Sequence, residues 1–78
     1  CDAVEFPLRT IVADALALGA RGILLAHNHP SGDPSPSPAD LDATRALADL
    51  VRPLDICLHD HLIFASGGWR SLRALGLM

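Results

Sequence analysis

At 78 residues the chain is at most one domain. It is half apolar by composition (50%), with a core that must be aliphatic, since it holds one Trp, two Phe and no Tyr. Its net charge of −3 comes from nine acids and six arginines with no lysine. The arginines (Arg9, Arg21, Arg45, Arg52, Arg70, Arg73) stand singly, so nothing supports the clustered basic patch that nucleic-acid binding uses. No apolar run approaches the roughly 18 residues of a transmembrane helix, no signal peptide is visible, and two cysteines are too few for a disulfide framework. These features point to a reducing, cytoplasmic setting without membrane contact.

Residues 1–6 are short and ambiguous. From Pro7 the pattern turns helical: Leu8, Ile11, Val12, Ala15, Leu16 and Leu18 recur at spacings of three and four. Pro7 suits a position just inside the helix start and Gly19 one just past its end. Gly22-Ile23-Leu24-Leu25-Ala26 is a short continuous apolar run between a glycine and a polar loop, which suits a buried strand. It delivers His27 at its carboxyl end.

Residues 28–38 hold four prolines, one glycine and three serines, a composition no regular element survives. The segment is short and flanked by ordered text, so it reads as a rigid loop. Ser37 then suits an N-cap, Pro38 position N1 and Asp40 position N3 of a second helix. That helix carries Leu41, Thr44, Leu47, Ala48 and Val51 on one side and stops at Pro53. Ile56-Cys57-Leu58 and Leu62-Ile63-Phe64-Ala65 read as two strands separated by His59-Asp60-His61, with Cys57 a buried small hydrophobe. Gly67-Gly68 marks a turn, Trp69 reads as a core or lid residue, and residues 71–76 as a short capped C-terminal helix. The expected class is therefore α/β, with helices packed on a small mixed sheet. The strand count is low for an independent sheet, so upstream residues, a partner or a second copy is expected to complete it.

The chemistry concentrates in His27, His29 and Asp40. In extended backbone, residues i and i+2 point to one face, so His27 and His29 present two imidazoles together. A carboxylate from Asp40, returned by the helix start, makes a third ligand suited to zinc and leaves one position for water. The simpler accounts are real: a lone His-x-His is common, and Ser37-x-x-Asp40 is nearly a capping box, which explains Asp40 as a helix-start acid. They need separate coincidences where a metal needs one cause, and a ligand carboxylate can still occupy N3. His59 and His61 share a face by the same period-two argument, but a second metal site there is the weaker reading. Asp60 or His61 is better placed to orient a ligand histidine from behind. Ser31 and Ser35 lack the orienting group a nucleophilic serine needs.

The run His27-Asn28-His29-Pro30-Ser31-Gly32-Asp33-Pro34, followed by Pro36-Ser37-x-x-Asp40, resembles the signature of the RadC family, within the JAB/MPN (JAMM-motif) metalloprotease superfamily. Asp60-His61-Leu62-Ile63 and residues 71–77 resemble the family's closing segments, and Ala15-Leu16 and Ala20 also fit, so the likeness runs from about Pro7 to the end. The resemblance implies a cytidine-deaminase-like layered fold with zinc held by His27, His29 and Asp40. It implies a zinc-activated water attacking the amide of a peptide or isopeptide substrate. It also implies that Ser37, besides capping, helps hold that water or the oxyanion. The chain departs from the pattern in one respect. The superfamily's acid/base glutamate lies on a strand several tens of residues upstream of the His-x-His. Glu5 is the sole glutamate here and matches no motif, and Arg9-Thr10 stands where Arg-Glu is usual. With Cys1 in place of an initiating Met, the expectation is a domain lacking its N-terminal part. Alternative expectations are an inactive zinc-binding interaction module, or the DNA-repair association that the family's name suggests.

Overall fold

The computed structural model describes residues 7–78; Cys1, Glu5 and the rest of the ambiguous opening lie outside the described residues. Two helices pack on a mixed three-stranded sheet, as the α/β reading requires. Helix α1 spans Leu8–Ala17, with Pro7 as its N-cap. It ends as the sequence suggests: Gly19 adopts φ 63 and its N–H bonds the carbonyl of Leu16, while Ala20 N–H returns to Ala15. Ala15 faces the core, but Leu16 and Leu18 are exposed, so the apolar stripe of α1 is narrower than its periodicity suggests. No helix among the described residues is long and apolar enough to cross a membrane.

Strand β1 (Gly22–Asn28) runs parallel to β2 (Cys57–Ala65), and α2 (Pro38–Val51) supplies the crossover between them. Strand β3 (Gly68–Ser71) returns antiparallel to β2 after a tight turn at Ser66 and Gly67, giving the order β1-β2-β3. Helix α2 gives way to a 3₁₀ turn at Arg52–Leu54, closed by Asp55 in the left-handed conformation (φ 59). The core is formed by Ala15, Leu47, Val51, Ile56 and Leu58, with Ile23 and Leu25 of β1 packed against it.

Several expectations change here. Residues 57–65 form one strand, not two strands broken by His59-Asp60-His61. The polar group is accommodated by a bulge, because Ile23 pairs with Leu58 while Leu24 pairs with Asp60, leaving His59 as the extra residue. The carbonyls of Leu58 and His59 at this irregularity accept hydrogen bonds from the Arg73 guanidinium. The bulge also shifts the period-two alternation. His59 is exposed and its ring lies over Gly22, whereas His61 is completely buried, so the two histidines do not share a face. Cys57 is exposed rather than buried, because Ile56 and Leu58 take the core positions on either side. Trp69 is 56% exposed and stacks on Phe64 across the β2–β3 pair, so it is neither core nor lid. Residues 72–76 are turns rather than a helix, with Gly76 at φ 75 and buried Leu72 holding the segment down.

Candidate metal centre

The buried face of α2 is a single stripe of Asp40, Thr44, Leu47 and Val51, at spacings of four, three and four. Its carboxyl-terminal half is apolar and joins the core. Its amino-terminal half is polar and faces the carboxyl end of β1. On β1, Ile23, Leu25 and His27 share one face by the strand's alternation. The same surface is thus a hydrophobic core at one end and a polar cluster at the other.

His27, His29 and Asp40 meet in that cluster, each offering a ligand atom within 4.8 Å of the others. His29 Nε2 is 2.9 Å from Asp40 Oδ2, and His27 Nε2 is 3.4 Å from Asp40 Oδ1. The two rings lie 4.8 Å apart, centroid to centroid, and are tilted by 54°. His29 and Asp40 are buried, with Asp40 wholly out of solvent, and His27 is half-buried.

The loop and helix start that hold these groups are built from local hydrogen bonds. His29 N–H donates to the carbonyl of Phe64 (2.8 Å), extending the β1–β2 pairing by one residue. His29 Nδ1 donates to the carbonyl of Asp33 (2.9 Å), which fixes the ring with Nε2 toward Asp40. Ser37 and Asp40 form a complete capping box: Asp40 N–H donates to Ser37 Oγ (3.1 Å), and Ser37 N–H donates to Asp40 Oδ2 (2.8 Å). The capping role expected of Ser37 is therefore present. Asp40 caps and faces the histidines at the same time, using its two oxygens.

The charge states follow from the surroundings. Burial alone would raise the pKa of Asp40. The hydrogen bonds from Ser37, the electrostatic proximity of His27 and the hydrogen bond with His29 outweigh it and hold the carboxyl below its ordinary range. Burial lowers His27, and the Asp40 charge offsets this only in part. Asp40 Oδ1 is buried and accepts no hydrogen bond among the described residues. A buried anionic oxygen of this kind carries a desolvation cost that a cation would offset. The donor set of two imidazoles and one carboxylate is the combination a catalytic zinc uses. The residues therefore fit a metal ion on chemistry as well as position.

Two further side chains stand behind the cluster. His61 Nε2 lies 2.7 Å from His27 Nδ1, and His61 Nδ1 lies 2.7 Å from Thr44 Oγ1. Thr44 in turn donates to the carbonyl of Asp40, one helical turn back (2.7 Å). Burial, then the proximity of His27, pushes the pKa of His61 down to about 4, so its imidazole is neutral near pH 7. Of the two residues expected to orient a ligand histidine, the structure gives that position to His61. Asp60 instead anchors the C-terminal turn, accepting from His61 N–H (2.7 Å), Ser71 Oγ (2.5 Å) and Arg73 N–H (3.1 Å). Thr44 was legible in the sequence only as a member of the packed helix stripe. The signal that would have marked it is a hydroxyl residue four positions after a candidate ligand, on the buried side.

A family model described as RadC-like JAB domain matches residues 1–77.

Proposed function

The chain belongs to the RadC-like JAB family, and on that premise we propose that His27, His29 and Asp40 hold a zinc ion and serve hydrolysis of an amide bond in a peptide or isopeptide. The observation that carries this reading is the convergence of three ligand atoms on one buried point, with Asp40 Oδ1 left without a hydrogen bond among the described residues. Held by these three residues, a zinc ion would supply Lewis-acid activation of water, whose pKa it would bring to about 7. The chain's own residues prepare the site. Ser37 and the Asp33 carbonyl fix the carboxylate and the His29 ring before any ion arrives, so little ordering remains for binding to impose. The Asp40 carboxyl is held below its ordinary range, and burial favours the neutral form of His27 that a ligand imidazole needs. Ser37 uses its oxygen to cap α2, and its hydroxyl proton remains a donor for the water or the oxyanion, the role that the family resemblance implies.

The test is direct. The purified protein should bind about one zinc ion per chain, measured by elemental analysis after dialysis, and the His27→Ala, His29→Ala double variant should bind none. Retention of zinc by that variant refutes the ligand assignment.

A second reading starts from the sequence. Glu5, the sole glutamate, matches no motif of the family resemblance, and Asp33 and Asp60 are each engaged in holding backbone. A zinc-binding module without hydrolysis is consistent with that. Zinc-dependent cleavage of an amide-linked fluorogenic peptide separates the two: turnover abolished by His29→Ala supports the hydrolase, and stoichiometric zinc without turnover supports the module.

A further inference from the structure

Among the polar groups the proposed chemistry does not use, Thr44 and His61 stand out, because both are buried side chains inside a connected chain of hydrogen bonds. The direction of each bond follows from what its atoms can do. The carbonyl of Asp40 only accepts, so the single hydroxyl proton of Thr44 goes there. Thr44 Oγ1 must then accept from His61, which places a proton on His61 Nδ1. A ligand lone pair on His27 Nε2 requires the ring proton of His27 to sit on Nδ1, and His61 Nε2, 2.7 Å from that atom, is placed to accept it once His61 Nδ1 is the donor to Thr44. The proton of His27 is thereby held on Nδ1, and its Nε2 lone pair is the one facing Asp40.

We propose that Thr44 and His61 are positioning residues of the metal centre, which set the tautomer of His27 through a relay that starts at the carbonyl of Asp40, itself a ligand residue. The inference rests on the zinc reading of the site. It adds that the ligand competence of β1 is decided by α2 and β2, through a threonine that touches no ion. The design is economical in one respect: Asp40 supplies a ligand by its side chain and the reference direction for the relay by its backbone. Threonine suits the position because its Oγ commonly bonds back to a carbonyl one turn earlier in a helix.

The experiment combines an affinity with a direct view of the proton. In the 15N-labelled, metal-free protein above pH 7.5, long-range 1H–15N correlations should show His27 and His61 both protonated at Nδ1. Finding the His27 proton on Nε2 overturns the proposal, and this measurement needs no variant. Thr44→Val, nearly isosteric, removes the acceptor that holds the proton on His61. It should shift His27 toward the Nε2–H form and weaken zinc binding by roughly 10–100-fold in chelator competition, the range typical of residues that orient a ligand from behind. Thr44→Ser keeps the hydroxyl and should restore both the tautomer and most of the affinity. A Thr44→Val protein that binds zinc as tightly as wild type overturns this inference alone. A wild-type protein that binds no zinc overturns the zinc reading and this inference with it.

Discussion

At the scale of single residues, two side chains separate structure from chemistry. Asp60, in the central strand β2, receives three hydrogen bonds. Burial would raise its pKa, but the bonds from Ser71, Arg73 and His61 outweigh that, and the folded carboxyl titrates below its ordinary value of 3.8. A carboxyl with a depressed folded pKa binds fewer protons folded than unfolded. Its contribution to stability is therefore fully present well above 3.8 and is lost as the pH falls below that value toward the folded pKa. Urea midpoints measured from about pH 6 down to about pH 2.5 should fall more steeply for wild type than for Asp60→Asn; parallel profiles would remove Asp60 as an acid-sensitive anchor. Ser37 tests the other distinction. Ser37→Ala removes the cap on Asp40 N–H and should cost about 1 kcal/mol of stability. The reciprocal bond, from the Ser37 backbone N–H to the Asp40 carboxylate, survives the substitution, so zinc affinity should change little. A loss of turnover much larger than the loss of stability would assign the hydroxyl to substrate.

At the scale of elements, the loop that follows His29 is held by the turn at the far end of β2. Gly67 N–H donates to the carbonyl of Gly32 (3.1 Å), and a Cβ at Gly67 would lie 2.7 Å from that same oxygen. The obstacle is backbone, so it cannot rotate away. Gly67→Ala should destabilise the fold by roughly 1–3 kcal/mol and, because Gly32 is three residues from His29, also weaken zinc binding; urea denaturation and chelator competition read the two effects. The bulge at His59 is the second decisive feature of an element. Leu58, His61 and Ile63 are all buried, a spacing of three then two that a regular strand cannot place on one face. The bulge supplies the missing step, and Arg73 caps the carbonyls at that irregularity. From the sequence, the same polar interruption reads as a break between strands, since alternation is the only guide and here it is out of phase.

At the scale of the whole molecule, the core and the His27, His29 and Asp40 cluster are two ends of one α2–sheet interface, so each should report on the other. Leu47, completely buried in the same helix stripe as Asp40 and Thr44, should cost about 2–5 kcal/mol when changed to Ala. Zinc held by His27, His29 and Asp40 would join the β1 end to the start of α2. At about 100 times its dissociation constant it should add about 2.7 kcal/mol, a rise in Tm of roughly ten degrees or more for a domain this small, reversed by EDTA. An unchanged Tm would mean that no ion bridges the two elements. The sequence by itself determined where α1 and α2 start and stop, the strand carrying His27, and the His27, His29, Ser37 and Asp40 spacing, but not the C-terminal segment, which reads as a helix and is turns. Those features are written in local patterns: caps, glycines, a proline-rich loop and a period of two or three to four residues. What only the tertiary structure decided is the partner of His27. His61 lies 34 residues away and reaches it because a parallel pairing and a one-residue bulge turn it inward beside Thr44. Register and bulges are set by the packing of two distant segments against one helix, and no local pattern in either segment carries that information.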